Sequence, residues 1–227
     1  MRAPVHACPR RRLTSVIGAA LLGLASLSGC KPSGTVDPTI TEAKAEGAWA
    51  IHEALEARIA AGKVSEADRA AALESVRAAA DDGTAAHAYA RAAVAGRVAE
   101  ERGLKALKIL EEMRTWALES IERDPAFEGQ AAKRLLGTLY VLAANHLEDG
   151  DSEEGLELLE EVVDAHPDVA LNHLRLAEGY IALGDPDPAF ESLCVAQAGR
   201  DTLRAEEAAL LDSLIAELGG AEALGCS

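Results

Sequence analysis

At 227 residues the chain has room for one helical domain and a targeting segment. Its hydrophobic fraction is 49%, but aromatics are only 3% and alanine dominates, a composition that favours all-α structure over strands. The formal net charge is −16; without residues 1–29, which hold Arg2, Arg10, Arg11 and Arg12 and no acid, 18 basic residues face 38 acidic ones, a charge of −20. Such a surface repels phosphate backbones and anionic headgroups, so no nucleic-acid partner is expected.

Residues 1–29 read as a secretion signal, with Pro9-Arg10-Arg11-Arg12 as the positive end and an uncharged apolar run from Leu13 to Leu27. The run is too short for a comfortable membrane span. It ends in Leu27-Ser28-Gly29-Cys30, which closely resembles the lipobox of bacterial lipoproteins: an aliphatic residue, two small ones, then the cysteine that takes a diacylglycerol. On that resemblance Cys30 becomes the first mature residue and the lipid anchors the chain to a membrane. Lys31 follows it rather than the aspartate that retains lipoproteins at the inner membrane in the enteric sorting rule. The expected location is therefore the outer membrane, facing the periplasm. Residues 30–38, with Pro32, Gly34 and Pro38, read as a lipidated tether.

Residues 39–124 read as divergent helical hairpins. Thr39 with Glu42 predicts a capping box that opens a helix running to about Ala61, with Trp49 and Leu55 on its apolar side. Ser65 with Asp68 predicts a second cap, for a helix to about Ala80. Further helices are expected over 84–102 and 104–123, separated by Gly103 and closed by Asp124-Pro125.

Residues 125–201 hold the same hairpin twice. A slide of 34 residues brings Leu142 onto Leu176, Ala143 onto Ala177, Gly150-Asp151 onto Gly184-Asp185, Gly155 onto Ala189 and Leu159 onto Leu193. Large and small apolar residues at this period around a Gly-Asp turn make the tetratricopeptide pattern, in which the small residues let antiparallel helices approach closely. Helices are expected near 129–147, 152–165, 169–183 and 187–198, with Asp151 and Glu154 as a capping pair and Pro186 at a helix start. Residues 202–227 supply a capping helix, to about Leu218, and a tail. The predicted fold is an all-α, tetratricopeptide-like solenoid.

Once the signal leaves and Cys30 is acylated, Cys194 and Cys226 remain, in a compartment that permits disulfides. A bond between them would pin the tail to the last repeat; the alternative is a buried Cys194 and a free tail thiol. The histidines show no metalloprotease or zinc spacing, and His146, His166 and His173 read as scattered rather than as a site. No phosphate loop, serine elbow or catalytic carboxylate pair is found, and Glu153, Glu154, Glu157, Glu160 and Glu161 read as a solvated face. No enzyme, metal or cofactor is called for.

In tetratricopeptide repeats the first helix of each hairpin lines the concave surface. Counting from Leu136 and Ala170 puts Gly137, Tyr140, Ala144 and Leu147, then Leu171, Leu174, Glu178 and Ile181, on that face. The candidate ligand or partner face is thus Tyr140, Leu147, Leu171, Leu174, Glu178 and Ile181. Its apolar character suggests a hydrophobic ligand or an apolar partner helix, unless the N-terminal hairpins fold over it as core.

Asp124-Pro125-Ala126-Phe127-Glu128-Gly129, Arg134-Leu135-Leu136-Gly137-Thr138-Leu139-Tyr140 and Asn172-His173-Leu174-Arg175-Leu176-Ala177-Glu178 together resemble the lipoprotein T component of tetratricopeptide-associated TRAP transporters. The likeness is best from Asp124 to about Ala196, and the loop Asn145–Gly150 is shorter than in that family. The resemblance implies a periplasm-facing helical lipoprotein that partners a solute-binding P component in uptake of a small, partly hydrophobic organic acid, and it implies homo-oligomers with a pore through each subunit. The alternative from the residues themselves is a general protein-interaction scaffold in envelope assembly.

Overall fold

The computed structural model describes residues 34–226, the side chains of residues 104 and 105 excepted, and these residues form helices and turns with no strand among them. The signal segment and Cys30 lie outside the described residues. Residues 32–227 form one compact unit.

A short α1 (Pro38–Glu42) leads into α2 (Ala48–Ala60), α3 (Glu66–Ala78), α4 (Ala85–Arg102), α5 (Leu107–Arg123), α6 (Phe127–Ala143), α7 (Ser152–Ala165), α8 (Ala170–Ala182), α9 (Ala189–Ala198), α10 (Ala205–Glu217) and α11 (Ala221–Leu224). Each helix packs on its neighbours in sequence. The closest pairs are α4 with α5, α6 with α7, and α8 with α9. The even-numbered helices also touch one another in series, α2 with α4, α4 with α6, and α6 with α8, and so form an inner layer. The odd-numbered helices back it from outside, and α10 closes the far end on α8 and α9.

Glycine sets the closest approach. A Cβ on Gly137 would lie 2.8 Å from the Gly155 carbonyl oxygen, and one on Gly155 would lie 2.6 Å from Tyr140 Cβ. Real side chains never come that close, so α6 and α7 meet backbone to backbone only because both positions are glycine. The repeat's small residues therefore sit where the sequence requires them. Ala177 and Ala189 are fully buried in the next pair.

The caps correct part of the reading. Ser65 and Asp68 form the expected capping box on α3, and Asp151 accepts from the Glu153 and Glu154 amides at the start of α7. The first helix differs. Its N-cap is Asp37, whose carboxylate accepts from the Thr39 amide and hydroxyl, and the helix breaks at Gly47 with φ 106° before α2 begins. An acid outcompetes threonine here because the same carboxylate also pairs with Arg58. The amide of Asp37 in turn donates to Asp68 at 2.7 Å, so the end of the tether is fastened to α3. Pro186 likewise precedes α9 rather than starting it, since the chain turns at Asp187–Pro188 and helix begins at Ala189.

Cys194 and Cys226 are bonded. Leu224 of α11 is buried with Leu193, Leu211 and Ile215, so the tail covers the last hairpin rather than trailing from it.

Candidate functional site

The inner layer lines a half-open cavity of about 740 Å³, within the range that holds a drug-sized molecule. Helices α2, α4, α5, α6, α8 and the start of α10 all contribute to its wall. Two kinds of surface meet there. Ala99 on α4, Leu110 and Met113 on α5, and Leu139, Leu142 and Ala143 near the end of α6 form an apolar pole. Gly96 keeps room there, because a Cβ at that position would come 3.3 Å from the Met113 sulfur.

The other surface is charged, with four guanidiniums (Arg97, Arg134, Arg175, Arg204) and four carboxylates (Glu56, Glu100, Glu178, Glu207). Arg97 grips Glu56 through two bonds of 2.7 and 2.8 Å and also meets Glu100 at 3.1 Å. Arg204, the N-cap of α10, reaches across to the same Glu56 and holds Glu207 at 2.7 Å. Arg175 pairs with Glu178 at 2.8 Å. Burial alone would raise the Glu56 pKa, but the Arg97 bonds and the charges of Arg97 and Arg204 overcome it and hold the group at about 2. Glu207 is lowered in the same way, with burial opposed by Arg204. These pairs join α2 to α10, so the helical array closes on itself across the cavity.

Arg134 differs from the other three. Among the described residues it meets no carboxylate; its guanidinium donates to the Asn172 side-chain oxygen at 2.8 Å and otherwise borders the cavity. Burial pushes its pKa down, Tyr89 and the Glu207 carboxylate oppose that shift, and Arg175 and Arg204 reinforce it. Tyr89 stands beside it on α4. Its ring packs against Trp49, His52 and Phe127, burial raises its pKa, and its hydroxyl has no protein partner among the described residues. His52 Nδ1 is also buried without a partner, and burial lowers that imidazole's pKa.

The candidate face read from sequence is only partly on this wall. Leu171 and Glu178 line the cavity. Tyr140, Leu147, Leu174 and Ile181 do not. Tyr140 is 2% exposed with its hydroxyl taken by Arg114 at 2.9 Å, and Leu147 is buried in the same core. Leu174 is fully buried, and Ile181 packs with it against α9 and α10. The physical reason is the register of α6. Gly137 must face α7, which turns Tyr140 inward with it and leaves Arg134, Leu135, Thr138, Leu139 and Leu142 on the cavity side. Those positions recur at helical spacing, with one arginine in an apolar stripe, so Arg134 had a visible signal. Tyr89 had none.

The histidines do not converge. His146 is exposed at the cavity wall, His166 lies beside Gly129, and His173 is buried with Nε2 on the Pro167 carbonyl oxygen at 2.7 Å. Among the described residues, Asp81, Asp82 and His87 are the one group spaced to hold a metal. Arg123 already grips both oxygens of Asp81, at 2.8 and 2.7 Å, which satisfies that carboxylate and places a positive charge where a cation would sit. The acidic run on α7 is exposed. No described helix is long and apolar enough to cross a membrane. Compared with known proteins, the chain matches no protein-family model and no curated protein.

Proposed function

We propose that this chain is a lipid-anchored, tetratricopeptide-like binding module of the bacterial envelope, facing the periplasm, whose inner cavity holds a small, partly hydrophobic organic acid for a solute-binding partner of the TRAP type. The observation that carries the reading is the cavity itself: a half-open, largely apolar space of drug-molecule size in the inner layer of the helical array. A protein built only to grip partners through its outer faces has no need of such a void, because filling it would stabilise the fold. The lipobox at Leu27–Cys30 supports the anchor, and the resemblance around Arg134–Tyr140 and Asn172–Glu178 supports the transporter setting.

The reading as an envelope scaffold has one observation in its favour. Leu142 and Leu183, 51% and 38% exposed, flank a second, smaller recess of about 260 Å³ between the ends of α6 and α8. The recess itself is mostly polar, with Asn145, His146 and Ser152 in its lining, and the two exposed leucines beside it suit a protein contact.

Fractionation and capture test the two parts together. Wild-type protein should partition with membranes, and Cys30→Ser should release it. Capture of the wild type from envelope extracts should recover a solute-binding protein. Release that does not depend on Cys30 would overturn the anchor, and recovery of assembly factors alone would favour the scaffold.

A further inference from the structure

Four guanidiniums and four carboxylates line the cavity, but they are not paired one to one. Three of its four guanidiniums are held by carboxylates of the protein, and the fourth, Arg134, has only the neutral oxygen of Asn172. Arg134 is half-buried, touches no carboxylate directly and keeps N–H groups at the cavity that no described residue takes up, so an anion entering the cavity can bind there. Tyr89 lines the same cavity, and its hydroxyl has no partner among the described residues and is free to donate. Both sit toward the N-terminal ends of their helices, at positions 89 and 134. Ala99, Leu139 and Leu142 lie toward the C-terminal ends of the same two helices, and Met113 packs near Gly96. Beyond Tyr89 and Arg134 the wall is thus mostly apolar, interrupted by Arg97, Glu100 and His146.

Resting on the reading of this cavity as a ligand site, we propose that Arg134 and Tyr89 form its head-group site and that the ligand is a monocarboxylate with a single unbranched or lightly substituted apolar tail. Arg134 binds the carboxylate through its free N–H groups, and Tyr89 donates its O–H to the same oxygens. The tail extends to Leu110, Met113, Leu139 and Leu142. A second carboxylate on the tail would meet that apolar pole unpaired, and Glu100 would repel it, so dicarboxylates are rejected.

Calorimetry on residues 32–227, which contain every buried cluster described here, with octanoate, 1-octanol and octanedioate as probes, tests this directly. Octanoate should bind at least tenfold more tightly than 1-octanol or octanedioate, the scale expected for a charge-assisted pair. Arg134→Gln should remove that preference, leaving octanoate no better than the alcohol. Tyr89→Phe, which keeps the ring among Trp49 and Phe127, should weaken octanoate roughly threefold to tenfold and leave 1-octanol unchanged. The phenylalanine variant keeps the test decisive should the glutamine variant not fold. Equal binding of acid and alcohol by the wild type, or octanoate binding untouched by both variants, would overturn the head-group assignment and leave the cavity reading standing. Binding of none of the three probes would overturn the cavity reading and this inference with it.

Discussion

Glu128, Gly129 and Gln130 enter α6 with φ of 47°, 60° and 64°, a left-handed turn before the regular helix that begins at Ala131. Two of the three carry side chains that disfavour this region by roughly 1–2 kcal/mol each. Glu128 is exposed and no ion pair or side-chain hydrogen bond engages it, so Glu128→Gly should relieve strain at little loss of contact. Its expected effect is a stabilisation of about 1 kcal/mol in urea melts; a destabilisation of that size would mean the turn is not strained. No pattern of apolar spacing announces such a turn. The same is true of Arg134 against Tyr140: both sit in one helix, and which of them faces the cavity depends on which side Gly137 presents to α7. The glycine was legible in the sequence, but the direction in which it turned its neighbours was not.

Between elements, most of the fold was written locally. The 34-residue slide correctly marked Gly155, Ala177 and Ala189 as close-packing positions, because a helix pair can approach only where side chains are small. The Ser65–Asp68 and Asp151 caps were legible for the same reason, as each rests on contacts within four residues. The Asp37 cap was missed because Arg58 and Asp68, which hold Asp37 in place, come from other helices. The bond between Cys194 and Cys226, 32 residues apart, fastens α11 over the last hairpin. Closure of a loop of that length contributes about 3–4 kcal/mol through the unfolded chain. Cys194→Ser with Cys226→Ser should therefore lower the urea midpoint and expose the tail to proteolysis, read by limited digestion. An unchanged midpoint would mean that Leu224 packing alone holds the tail.

Across the whole molecule, α2 and α10 meet through Glu56, Arg97, Arg204 and Glu206. Residues 148 positions apart leave no local trace in a sequence, which is why ring closure was invisible there. The Glu56 pKa is lowered from 4.5 to about 2, so its contribution to stability is fully present above about 4.5 and is lost as pH falls toward 2. Glu56→Gln removes the carboxylate that Arg97 and Arg204 share, leaving them Glu100, Glu206 and Glu207, and should cost about 1–2 kcal/mol at neutral pH. Thermal midpoints of wild type and variant should converge across that acidic window. Parallel curves would show that the closure carries no stability.

The central claim is that the inner cavity is a ligand site. Native mass spectrometry of residues 32–227, before and after organic extraction and beside Thr138→Trp, measures it most directly, since a tryptophan at that wall position fills the cavity from α6. A discrete small-molecule mass on the wild type, lost on extraction and absent from the tryptophan variant, is the predicted result. A wild type without small-molecule mass that holds a stoichiometric protein partner would contradict the account, as would a ligand mass that Thr138→Trp retains.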